Sequence, residues 1–209
     1  NQAGVAAGFE HDLVSEFARQ QGWAIRWNLQ GSAKKALASV ETGAAHFAAA
    51  GLTESAVHAR LLRAGPVLFE TPVLVIYRNT ETRPLSLAAL SGKKIALLQN
   101  AGQQLMMLRL KRKVPGLSWQ SLDDMWPDAL LARLDQGDYD AVIMNSMDFD
   151  LSRNAYPNLS VAFSLDEKQK IVWALPRYAP PVLVHKLERF VSEARKNNMI
   201  NRIYERYYG

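Results

Sequence analysis

The chain has 209 residues, of which 48% are apolar and 22% charged. That balance excludes a disordered or collagen-like chain and leaves one large domain or two small lobes. No apolar run approaches the ~20 residues that cross a bilayer, and the lack of cysteine removes disulfides, thiolate metal sites and cysteine nucleophiles together. The net charge is +5, but the basic residues are dispersed and lack interleaved aromatics, which argues against a nucleic-acid partner.

Asn1 to Ala7 carries no basic-then-apolar export signal, so any such signal is expected to be removed or to lie outside this sequence. Gly8 then opens a helical pattern with Leu13, Val14, Phe17 and Gln21 on one stripe. Ala24 to Leu29 is a strand candidate. A second helix is expected from Ser32 to Val40, with Ala33, Leu37 and Val40 inward, stopping before Gly43. His46 to Gly51 reads as a short extended run. The apolar run Val73 to Tyr77 leads into the polar stretch Arg78 to Pro84, and Ile95 to Leu98 begins a second sheet.

Gly102 opens another helix, with Leu105, Met106, Leu108 and Arg109 placed as in the first. Its end, Arg109 to Lys113, puts cations at a helix C-terminus before Pro115, where the dipole favours them. Leu117 to Gln120 is a further strand candidate. Asp124 to Gln136 reads as a helix with Trp126, Leu130, Leu131 and Leu134 inward; Pro127 falls in its first turn, where a missing N–H costs nothing. That helix stops before Gly137, and Asp140 to Asn145 is extended. A return crossing is expected near Val161 to Trp173, then a helix from Pro180-Pro181 with Leu183, Leu187, Phe190 and Val191 inward. A last helical pattern covers Met199 to Tyr208.

The chain is thus a weak copy of itself: Gly8 and Gly102 are offset by the same interval as Gly43 and Gly137. Each half alternates helix and strand, as a parallel α/β sheet does. Two such lobes joined by extended crossovers, near Val75 to Thr82 and Val161 to Val172, imply a cleft between them and a first lobe built from both ends of the chain.

Four segments resemble a known family. Gly8-Phe9-Glu10-His11-Asp12-Leu13 is similar to the G-[FY]-[DE]-x-[DE]-L of family 3 periplasmic solute-binding proteins. Gly43 to Thr53 resembles their G-x-x-D-x-x-x-x-G-x-T, Gly137 to Val142 their G-x-x-D-A-V, and Ile203 to Gly209 their I-Y-x-[KR]-[YFW]-x-G close. Within the family, Ala49-Ala50-Gly51-Leu52 followed by Gly65-Pro66, and Gln169-x-x-x-Trp173-x-x-Pro176, resemble the N-terminal domain of membrane-bound lytic murein transglycosylases of the F group. The resemblance implies an α/β fold: a two-lobed, type II periplasmic-binding-protein-like clamshell with parallel or mixed sheets flanked by helices. Lobe 1 would comprise residues 1–77 and 170–209, and lobe 2 residues 78–169. It also implies that the first strand of lobe 1 is missing, so that the chain begins downstream of the family's usual start. A periplasmic location follows, with a parent associated with the outer membrane and an attached catalytic domain outside these residues.

Catalytic signatures are lacking. There is no G-x-S-x-G elbow, no G-x-x-x-x-G-K-[ST] and no H-E-x-x-H. Glu10-His11-Asp12 cannot converge on one ion, because consecutive helical residues point about 100° apart; it reads as a polar helix start. The four histidines are scattered. Glu54-Ser55 mimics the acidic pair of a transglycosylase, but no Gly-Leu-Met-Gln segment follows it. No catalytic residue, metal or cofactor is therefore expected.

Binding is the better prospect. Open α/β sheets bind ligands beyond the carboxyl ends of their strands, and the qualifying loops lie before Asp12, at Gly51 to His58, at Asn100 to Gln103 and at Asn145 to Met147. The expected ligand-binding residues are Gly51, Thr53, His58, Gly102, Gln103 and Asn145. Gly102 lets backbone amides approach an anionic or carbonyl group at the helix start, though a plain turn glycine fits equally. Amino-acid binders of the family carry an arginine seven residues after the loop glycine, which here is His58, and an aspartate at the position of Asn145. Arg60 is out of register by two. An imidazole lacks the guanidinium fork and a neutral amide lacks the charge, so a neutral or sugar-containing small molecule, such as a cell-wall fragment, fits better than a zwitterion. Three alternatives stay open: a docking domain with no ligand, a free-standing transport protein, and an enzyme on the same clamshell with His58 as its acid or base.

Overall fold

The structure is a computed structural model describing residues 8–99 and 101–209. The expectation about the first strand falls on Asn1 to Ala7, outside the described residues, as does Asn100. In chain order come α1 (Phe9–Gln21), α2 (Ala33–Glu41), α3 (Glu54–Ala59), β1 (Arg63–Ala64), β2 (Phe69–Arg78), β3 (Ile95–Leu98) and α4 (Ala101–Lys113). Then follow β4 (Gln120–Leu122), α5 (Pro127–Asp135), β5 (Ala141–Asn145), α6 (Ser146–Ser152), β6 (Leu159–Ile171), β7 (Ala174–Leu175), α7 (Pro181–Lys196) and α8 (Met199–Tyr208).

Contacts divide the chain into two compact units, Asn1–Glu70 with Lys170–Gly209, and Thr71–Gln169. The outward boundary therefore precedes Tyr77, where the sequence placed it. The cause is register: Val73 to Tyr77 pair antiparallel with β5, Val73 opposite Asn145 and Tyr77 opposite Ala141, so these residues belong with their partner strand.

The second unit holds a mixed sheet in the order β4-β3-β5-β2-β6. β3 runs parallel to both β4 and β5, and β2 opposes β5. Alternate residues go to opposite faces. Val73, Val75, Ile95, Leu97 and Ile143 pack with Met106, Met107 and Leu110 of α4. Leu74, Ile76, Ala96, Val142 and Met144 pack with Leu130, Leu131 and Leu134 of α5. Each such buried aliphatic side chain contributes about 1.5–3 kcal/mol. The α4 stripe is thus Met106, Met107 and Leu110, while Leu105 and Leu108, expected inward, are 60% and 52% exposed. Two strongly apolar residues beside a narrower buried seam misled the helical phase. β4 begins at Gln120, because Leu117 is instead buried in the turn before it. α5 begins at Pro127 rather than Asp124, whose φ of 56° takes it out of the helix.

The first unit pairs β1 with β7 antiparallel, Arg63 opposite Leu175. His46 to Gly51 contributes one isolated bridge, Ala48 to Ala174, and not a strand. Leu37, Val40, Leu52, Val57 and Val172 form one core. Beside it Phe47 stacks on Trp173 at 5.3 Å, and Phe17 meets Phe190 at 5.2 Å. α1 stops at left-handed Gly22, and Tyr207 of α8 donates to Asp12 of α1 at 2.7 Å. The strand expected at Ala24 to Leu29 forms no ladder among the described residues, and Trp23, Trp27 and Leu29 are 43%, 40% and 53% exposed. The alternation there marks a chain suited to a sheet, but a strand exists only where a neighbour accepts its hydrogen bonds.

Candidate functional site

In the first unit the Gly51 to His58 loop is built around a left-handed glycine. Gly51 has φ 63°, which a side chain would strain, and its N–H donates to Glu10 Oε2 at 2.5 Å. Val172 N–H donates to the Leu52 carbonyl at 3.0 Å. Thr53 then caps α3, its Oγ1 accepting the Ala56 N–H at 3.3 Å and lying 3.3 Å from Ser55 Oγ. Glu54 forms an ion pair with Lys170 at 3.9 Å. His58 is exposed in the last turn of α3. Arg60 does not replace it as a clamp: its fork already grips Glu41, with both bonds at 2.7 Å. That hydrogen bonding holds the Glu41 carboxyl below its ordinary range and raises the guanidinium.

In the second unit, β3 and β5 are parallel, so their carboxyl ends share one edge, and α4 and α6 start there. Asn145 is 2% exposed and caps α6: its Oδ1 accepts the Asp148 N–H at 2.9 Å while its Nδ2 donates to Gln169 Oε1 at 3.1 Å. Thr71, at the start of β2, accepts the Met147 N–H at 3.2 Å. Gln103 is buried in the first turn of α4 beside half-buried Gly102. Burial pushes the Asp148 carboxyl up to about 7, against the opposing hydrogen bond from Asn145.

The buried polar side chains among the described residues are Glu10, Ser32, Thr53, Thr71, Gln103 and Asn145. All lie at, or bond to, a helix N-terminus: Ser32 caps α2, and the others serve α1, α3, α4 and α6. Such ends carry free N–H groups and partial positive charge. Of the expected residues, the structure brings Gly51 to Thr53 in one unit, and Gly102 and Gln103 to the edge that holds Asn145 in the other. His58 stands apart from these bonds. Sequence reasoning missed Glu10, Thr71 and Asp148 as organisers. The Asn145-x-x-Asp148 capping pattern was readable, whereas the Glu10 and Thr71 partners are distant in sequence. Among the described residues no group of three His, Asp or Glu could hold a metal ion, and no helix is long and apolar enough to cross a membrane.

The sequence profile of bacterial extracellular solute-binding proteins, family 3, matches residues 1–209. The chain is 47% identical over 206 residues to a membrane-bound lytic murein transglycosylase F of Thiobacillus denitrificans, covering 99% of this chain and 44% of that protein. To the protein of that name from Nitrosospira multiformis it is 32% identical, covering 100% and 43%. The chain thus spans less than half the length of these curated relatives. Its fold is similar to that of an ancestral arginine-binding protein bound to arginine, with a TM-score of 0.81 at 18% identity, covering 100% of this chain and 91% of that one.

Proposed function

The chain belongs to family 3 of the bacterial extracellular solute-binding proteins, and on that premise we propose that it is a periplasmic ligand-sensing domain, non-catalytic in itself, of a lytic transglycosylase F-like cell-wall protein. The carrying observation is the set of buried polar side chains at helix N-termini. Helix starts held by buried caps present oriented amides to carbonyl, hydroxyl or carboxylate groups. Thr53 does this for α3 in one unit, and Thr71 and Asn145 for α6 in the other, while Glu10 and Gln103 lie buried in the first turns of α1 and α4. The proposed ligand contacts are Gly51, Thr53, His58, Gly102, Gln103 and Asn145, and the ligand is a small molecule of the cell wall. In the parent, which we place at the outer membrane, occupancy would bias an attached catalytic domain, which requires different ligand affinity in its two states.

Fold likeness to an arginine-binding protein favours a free amino acid as a second reading. Residue chemistry opposes it, because His58 replaces the arginine fork, Arg60 is engaged by Glu41, and Asn145 is a neutral amide that offers no charge to an ammonium group. An arginine–carboxylate fork contributes about 1.5–3 kcal/mol, so its loss weakens amino-acid binding roughly tenfold to a hundredfold. Calorimetry with amino acids and muropeptides is the test, on the unaltered chain and on His58→Arg with Asn145→Asp. Muropeptide binding to the first and gained amino-acid binding by the second are expected. Micromolar amino-acid binding by the unaltered chain would overturn the reading.

A further inference from the structure

An open concavity of about 700 Å³ lies wholly within the second unit. It sits at the amino ends of β3 and β5, the edge of the sheet opposite Asn145, where the segments leading into β3, β4 and β5 converge. A space of that size accommodates a small oligosaccharide, since ligand pockets generally run to roughly 300–1,000 Å³.

Its walls are fixed. Tyr139, 5% exposed, donates its phenol to Gln120 Oε1 at 3.0 Å, which orients the Gln120 amide and leaves its NH₂ as a donor. The Trp119 indole is locked by its Nε1 donating to Gln104 at 3.3 Å, and Lys111 lies 5.7 Å from its ring centroid. Arg133 is committed, paired with Asp138 at 3.0 Å and lying 5.1 Å from the Tyr139 ring centroid. Lys93 and Lys94 differ: both line the space and are exposed, and neither side chain meets a carboxylate among the described residues. The Asp140 carboxylate accepts the Lys94 backbone N–H, at 2.7 Å, rather than its ammonium.

We propose that this concavity is a binding site for a carboxylate-bearing sugar. The half-buried Trp119 indole borders the space and would take the C–H side of a pyranose. The oriented Gln120 amide and Ser118 hydroxyl serve ring hydroxyl or acetamido groups, and the two ammonium groups supply the charge for one carboxylate. A free inorganic anion would use the lysines alone and leave the aromatic wall without purpose. The site stands on the opposite sheet edge from the ligand contacts proposed above and does not depend on them.

The test is a ¹⁵N NMR titration of the chain with the disaccharide N-acetylglucosaminyl-N-acetylmuramic acid. Parallel titrations use N,N′-diacetylchitobiose, inorganic phosphate and poly-glutamate. The acidic disaccharide is expected to move the Lys93 and Lys94 amides and the Trp119 indole signal. Chitobiose, which lacks the carboxylate, should bind at least about fivefold more weakly, in line with the loss of one or two exposed ion pairs. Lys93→Gln with Lys94→Gln should reduce the acidic disaccharide to the chitobiose level; both positions are exposed, so the fold is expected to survive. The Asn145 and Thr53 signals of that variant should respond to ligand as in the unaltered chain, which separates this site from the other. Absence of shifts at ~10 mM disaccharide, unchanged binding by the double variant, or equal response to phosphate or poly-glutamate would each overturn the proposal.

Discussion

Replacing Asp148 by asparagine should stabilise the protein, and only above acidic pH. In the folded chain the Asp148 carboxyl is raised from 3.8 to about 7, chiefly by burial. A folded carboxyl with a raised pKa keeps its proton where the unfolded one has released it. Stability is therefore lost as pH rises from near 4, and the loss is complete once pH passes about 7. Each pH unit inside that window costs about 1.4 kcal/mol, which sets an upper limit of about 4 kcal/mol across it. Asp148 keeps part of its surface in solvent, and screening reduces the figure to roughly 1–3 kcal/mol. Asparagine retains the cap, because the bond to Asn145 Oδ1 is donated by the residue 148 backbone. Urea unfolding of both proteins from pH 4 to 8 is the assay, and the difference between them cancels the histidines, which titrate in both. The variant should match the wild type near pH 4 and exceed it at pH 8. A difference that is constant with pH, or a variant weaker at pH 8, would refute the argument.

Glu10→Gln should cost about 1–2 kcal/mol by urea unfolding, because a charge-assisted bond to the Gly51 N–H becomes a neutral one; the Gly51 amide should also exchange faster with solvent. Arg60→Ala removes a partly exposed pair with Glu41 and should cost less than about 1 kcal/mol, fading in 1 M salt. Calorimetry should find ligand affinity unchanged in that variant, and a loss of affinity would show that Arg60 is a clamp after all.

Local chemistry alone was enough to read most helices and the central strands β2, β3 and β5 of the second unit. Leu13, Val14 and Phe17 recur at helical spacing and are buried on α1, and Ala141 to Met144 form an apolar run that pairs on both sides as β5. Ser32, which accepts the Lys35 N–H, and Pro127, whose missing N–H costs nothing in a first turn, mark helix starts locally, so no distant residue was needed to see them, whereas the short helix that Thr53 caps was not anticipated. The repeat also exposed the two-unit organisation, since similar order makes similar cores. Three matters depended on partners far along the chain. Trp23 to Leu29 alternates like a strand yet forms no ladder among the described residues, because pairing is a property of two segments. Gln103 and Asn145 reach one edge only because β3 and β5 run parallel in adjacent register. Glu10 and Thr71, polar residues that look ordinary in sequence, become organisers of the loops at Gly51 and Met147, because an amide left without a partner in a buried site is costly and the tertiary fold supplied these two.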